Sequence, residues 1–175
     1  MFAQFQHLLR SGLFSTVMDG DCFFDALAKT LGHTKRHWRQ VLADRLYKKG
    51  TFTLEQYKTY AYVWADIEVV YEAVRLIQRP FCVVQREAPN AVMLIRPVDV
   101  PLKDLIYLVY ENGCHFTTFV NPITPPDLLR RIRVLETVGM REEEPGCIVT
   151  HGNLRDLFRA PRQTRRRLRQ TRKSI

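Results

Sequence analysis

The sequence predicts an α+β domain in which a small central β-sheet is flanked by helices. Up to about residue 76 the apolar residues recur at helical spacing, whereas beyond residue 80 they gather in four short β-branched or aromatic runs separated by Pro, Asn and Gly. With 175 residues the chain can close one complete core, so neither a disulfide nor a metal staple is needed.

Phe2, Phe5, Leu8 and Leu9 recur at helical spacing and predict an amphipathic first helix. Asp19-Gly20-Asp21 reads as a turn, and Phe23 to Leu31 follows as an apolar, helix-compatible run. Trp38, Val41, Leu42 and Leu46 share one helical face, with Gly50 as the stop. Leu54 to Leu76 is aromatic and mostly helical, with a break near Trp64-Ala65-Asp66. Strands are expected at Phe81 to Gln85, Ala91 to Arg96, Leu105 to Tyr110 and Phe116 to Val120. Asn112-Gly113 signals a hairpin that puts His115 near the start of the last of these. Pro122, Pro125 and Pro126 end the sheet, Asp127 can cap a helix through Val138, and Glu142-Glu143-Glu144-Pro145-Gly146 reads as a loop. Cys147 to Phe158 adds a further strand and a short helix.

The formal charge of +9 is a property of one end. Arg159 to Ile175 carries eight basic residues and no acid, so residues 1–158 hold 19 Lys+Arg against 18 Asp+Glu. This divides the chain into a domain, 1–158, and a basic tail, 159–175, without apolar period, able to attract nucleic acid or an anionic surface. Cys22, Cys82, Cys114 and Cys147 form no C-x-x-C pair, which suits a reducing compartment. No apolar stretch approaches the roughly 18 residues of a membrane span, and Met1 to Arg10 lacks the order of a secretory signal. The expectation is a cytoplasmic protein, with nuclear entry through the tail as an alternative.

Met18-Asp19-Gly20-Asp21-Cys22-Phe23-Phe24 puts a cysteine where an acidic turn becomes a helix. The first free N–H groups of that helix face the sulfur, favour thiolate and lower its pKa, which suits a nucleophile. A base is offered by Asn112-Gly113-Cys114-His115-Phe116, far away in sequence, as when the fold assembles a catalytic pair. A zinc site from Cys114-His115 and Cys147-x-x-x-His151 is disfavoured, because adjacent strand residues point to opposite faces.

Together these motifs resemble the ovarian tumour (OTU) family of cysteine proteases, whose pattern is Asp-Gly-x-Cys before an aromatic or aliphatic pair and, much later, a His with an aromatic neighbour. Trp38 to Lys49, Trp64-Ala65-Asp66-Ile67-Glu68 and Arg79-Pro80-Phe81-Cys82-Val83-Val84 extend the resemblance, which covers roughly Phe14 to Asn121. It implies a papain-like OTU fold and a cofactor-free isopeptidase that removes ubiquitin, or a ubiquitin-like modifier, through a Cys22 thioester. If the source is a virus or an intracellular bacterium, the host's ubiquitin system is the target. His115 would be the base, Asp19 would shape the oxyanion loop, and Gly20, Asp21, Gly113 and Cys114 would line the channel for the ubiquitin tail. The body of ubiquitin is assigned to Glu55 to Tyr71 by position alone.

The chain departs from the family at the residue that orients the histidine. Many relatives carry Asp or Asn two residues beyond it, where this sequence has Thr117, which brings no charge to an imidazolium. Asn112, Asn121 and Gln4 are the other candidates, and a Cys-His dyad is the remaining alternative. Two rival readings follow: a catalytically weak OTU-like module that binds ubiquitin or another partner, and a nucleic-acid-binding protein whose tail does the work.

Overall fold

The computed structural model describes residues 12, 13, 16, 20–59, 65–86, 91–120, 132–137 and 139–153. The expected N-terminal helix, Asp19, Gln4, Trp64, Asn121, the segment after Asn153 and the basic tail lie outside them.

Among the described residues four helices precede the sheet. Helix α1, Cys22–Leu31, turns Phe23, Phe24, Ala26 and Leu27 inward, while Asp25 and Lys29 pair one turn apart at 2.7 Å on the outer side. Full burial of each phenylalanine contributes roughly 1.5–3 kcal/mol. Helix α2, Lys35–Lys48, starts at Thr34, whose hydroxyl accepts from the His37 N–H, and buries Trp38, Leu42, Ala43 and Leu46. It ends at the expected stop, where Gly50 has φ 75°. The predicted long helix is two: α3, Leu54–Thr59, opened by reciprocal bonds between Thr53 and Gln56, and α4, Ile67–Ile77, capped by Asp66 on the Val69 N–H.

The sheet has six strands: β1, Phe81–Gln85; β2, Ala91–Pro97; β3, Ile106–Glu111; β4, His115–Thr117; β5, Met140–Glu144; and β6, Cys147–Asn153. Their spatial order is β4-β3-β1-β2-β6-β5, with β1 and β3 parallel and every other pair antiparallel. One face, with Phe81, Val83, Ile95, Ile106, Leu108 and Phe116, packs on α1, α2 and α4. The other, with Cys82, Val84, Val92, Leu94, Tyr107 and Val109, is covered by Leu102, Leu105, Phe119 and Ile132 and Leu135 of the helical residues 132–137. The result is a three-layer α+β domain with a mixed sheet.

Two expectations need correction. Glu142–Glu144 is not loop but part of β5, which pairs with β6 through a two-residue Pro145-Gly146 turn with Gly146 at φ 75°. An exposed edge strand is held by main-chain bonds on one side only, so Met140-Arg141-Glu142-Glu143-Glu144 carries no apolar period to read. The run Phe116–Val120 changes partner midway. After Thr117 the chain leaves β3, and Phe119 bridges to Leu13 while the Val120 N–H bonds the Gly12 carbonyl at 2.8 Å.

Candidate active site

The local sequence fixes both halves of the site. Gly20 takes φ 85°, a left-handed conformation that glycine adopts without strain, and this delivers Asp21 to the N-cap of α1. The Asp21 side chain makes no cap bond. It turns instead to α2, where Arg39 Nε donates to Oδ1 at 2.6 Å and Lys35 Nζ approaches Oδ2 at 3.0 Å. Arg39 also donates through Nη2 to the Gly20 carbonyl at 2.8 Å and lies over the Phe24 ring, 4.3 Å from its centroid. Burial raises the Asp21 pKa, but the hydrogen bonds from Lys35 and Arg39 outweigh it and hold the carboxyl below its usual value.

On the other half, Asn112 and Gly113 both have positive φ, 54° and 68°, and the Cys114 N–H bonds the Glu111 carbonyl at 3.3 Å. This is the hairpin expected of Asn-Gly, joining β3 to β4 with Glu111 opposite His115. The Tyr110 hydroxyl donates to the Gly113 carbonyl and secures the turn.

The two halves meet at Phe116. Its N–H donates to Cys22 Sγ at 3.3 Å, and the thiol is directed at the Cys114 carbonyl, 3.8 Å away. Its carbonyl accepts from the Thr16 hydroxyl at 2.8 Å, and the same Thr16 oxygen lies 2.8 Å from His115 Nε2. His115 Nδ1 is buried and, among the described residues, has no hydrogen-bond partner. Cys22, 2% exposed, and His115, 5% exposed, are therefore attached to consecutive residues of one edge strand and its flank.

The expected pKa of the cysteine is reversed. Burial pushes the Cys22 thiol above its ordinary value, against the N–H groups of Phe116, Phe23 and Cys22 itself, which lower it. The helix-end donors are present as anticipated, but desolvation of the sulfur exceeds them.

The candidates separate clearly. Gly20, Asp21, Cys22, Cys114 and His115 converge, Gly113 and Asn112 occupy the exposed turn beside them, and Asp19 is outside the described residues. The partner of the ring is Thr16 rather than Thr117 or Asn112. Sequence reading missed Thr16 and Arg39, neither of which carries a local signal, because the burial of Arg39 against Asp21 is set by how α2 packs on the turn.

A cavity of about 230 Å³ opens on the helix-covered face of the sheet beside Phe116, lined by Ile67, Val70, Val83, Met93 and Tyr110. Among the described residues no helix is long and apolar enough to cross a membrane.

Neither a protein-family model nor a curated protein matches the sequence. Solved structures do resemble it. The OTU domain of OTUD1 aligns with a TM-score of 0.51 at 15% identity, over 66% of this chain and 90% of that one. An OTU deubiquitinase from Wolbachia pipientis wMel aligns at 0.47 and 14% identity, over 68% of this chain and 94% of that one. The viral OTU domain protease from Qalyub virus aligns at 0.48 and 18% identity, over 64% and 86% respectively. The six-stranded mixed sheet with its flanking helices, matched by the first of these, is the ovarian tumour (OTU) fold.

Proposed function

We propose that this chain is a cysteine isopeptidase that removes ubiquitin, or a ubiquitin-like modifier, from conjugates. The observation that carries the reading is the junction at Phe116, where a cysteine at a helix N-terminus bonds the main chain directly after a histidine whose Nδ1 is bare. His115 Nδ1 takes the Cys22 proton as the sulfur attacks the carbonyl carbon of the isopeptide bond. The N–H groups of the turn ending at Cys22 receive the oxyanion, each donor contributing about 3 kcal/mol. The tetrahedral species collapses by breaking the C–N bond, and the imidazolium proton leaves with the lysine amine. Water, deprotonated by the same nitrogen, then hydrolyses the thioester and the proton returns to sulfur.

An extended peptide tail ending in small residues suits this site, since the Gly20–Asp21 turn leads directly into Cys22 and the Cys114 carbonyl lies 3.8 Å from its sulfur. The apolar cavity beside Phe116 is large enough for an aliphatic side chain of such a tail. Residues 1–158 form the catalytic domain and 159–175 an accessory basic tail in this reading.

The test is labelling of Cys22 by a ubiquitin carrying a C-terminal electrophile, with turnover of a panel of ubiquitin dimers. Adduct formation lost in Cys22→Ala supports the reading. Binding of ubiquitin without adduct or turnover establishes the second reading, a non-catalytic module, which the raised thiol pKa favours.

A further inference from the structure

The Thr16 hydroxyl has one proton and two neighbours. A carbonyl can only accept, so the bond to the Phe116 oxygen consumes that proton. The Thr16 oxygen can then meet His115 Nε2 at 2.8 Å only as an acceptor, which requires the ring to carry its hydrogen on Nε2. In a neutral imidazole this leaves Nδ1 as the lone-pair nitrogen, and Nδ1 is the ring atom that is buried and unpartnered. Among the described residues around the ring, the carboxylate of Glu111, its register partner on β3, is bound by Arg86; Cys22 comes from α1 and Cys114 from the preceding turn.

We infer that Thr16 is the positioning residue of the site, a neutral hydroxyl that takes the place of an acidic or amide orienter by fixing His115 as the Nε2–H tautomer. The catalytic consequence rests on the isopeptidase reading; the tautomer does not. Locking the ring this way leaves the Nδ1 lone pair directed away from Thr16, and in the isopeptidase reading that lone pair takes the thiol proton. Thr117, to which the family pattern points, is then released from the role.

Nitrogen-15 spectra of the ring in the native full chain test this directly. The expected result at neutral pH is a protonated Nε2 and a bare Nδ1. A protonated Nδ1 in the native chain overturns the inference. Thr16→Val should mix the tautomers and reduce kcat on a ubiquitin substrate by roughly three- to tenfold at unchanged KM, the effect of one neutral hydrogen bond. Thr16→Ser should restore both. Loss through KM alone, a Val variant with native kcat and native ring spectrum, or a folded Ser variant as impaired as Val, would each overturn it. If the native chain turns over no ubiquitin substrate yet shows the Nε2–H form, lost in Thr16→Val, the positioning role stands and the isopeptidase reading fails.

Discussion

The loop that delivers the cysteine is anchored by charge, and the strand that delivers the histidine is anchored by hydroxyls. Before α1, a carboxylate, a guanidinium and an ammonium interlock: Asp21 with Arg39 and Lys35, with Arg39 only 8% exposed and also holding the Gly20 carbonyl. Along β4 and its continuation the contacts are neutral. Thr16 bridges His115 and Phe116, and Thr118 donates to the Tyr107 carbonyl and meets Thr30 across to α1 at 3.2 Å. Charge is thus used to fix a backbone conformation, where its partners neutralise it, and is withheld from the atoms proposed to exchange a proton. Burial holds the Cys22 thiol above its ordinary value, and among the described residues the ring of His115 is bonded by a hydroxyl and by no carboxylate.

The sharpest way to break this contrast is to remove the proposed base. His115→Ala should lower turnover about 10²–10⁴-fold while the thermal unfolding midpoint changes little. A smaller loss would mean that the hydroxyl-lined half is scaffold rather than machinery.

Removing the charged anchor comes next. Arg39→Met removes the guanidinium from Asp21, leaving Lys35, and takes the donor from the Gly20 carbonyl, and should cost about 2–3 kcal/mol in urea unfolding. The same variant has an acid signature. Because the folded Asp21 pKa lies below the unfolded value of 3.8, its contribution is complete above 3.8 and is lost as pH falls through the folded value. Arg39→Met should flatten that acid decline; an unchanged slope would show that the turn does not depend on this pairing.

Alkylation of Cys22 by iodoacetamide sharpens the contrast at the thiol. With the thiol raised by burial, the rate should climb about tenfold per pH unit up to and beyond about 8.5, the ordinary thiol value. A rate already level at pH 7 would reveal a preformed thiolate. The smallest effect is expected from Thr117→Val, which removes a buried hydroxyl at near-constant volume and should cost about 1 kcal/mol of stability, with the pH dependence of turnover unchanged.

The sequence made the architecture legible wherever an element has two different faces or a diagnostic turn. The Asn112-Gly113 hairpin, the α1 run from Phe23, the α2 stop at Gly50 and the fully buried β1 strand Phe81-Cys82-Val83-Val84 were all readable, because burial or turn conformation dictates residue type there. β5 was not, since an exposed edge imposes no pattern. Cys22 and His115 stood out through their local contexts. Thr16 could not, because its place beside the site arises only from its contact with His115, 99 residues away in sequence. The direction of the thiol pKa was also illegible: a helix end can be inferred locally, but the desolvation that overrides it is set by tertiary packing.

Phe116 offers its N–H to the Cys22 sulfur and its carbonyl to the hydroxyl that bonds His115, so the aromatic ring, packed between Phe23 and Tyr110, has no part in either bond. Substitution at this position therefore alters the wall of the neighbouring cavity, while both contacts are carried by the main chain.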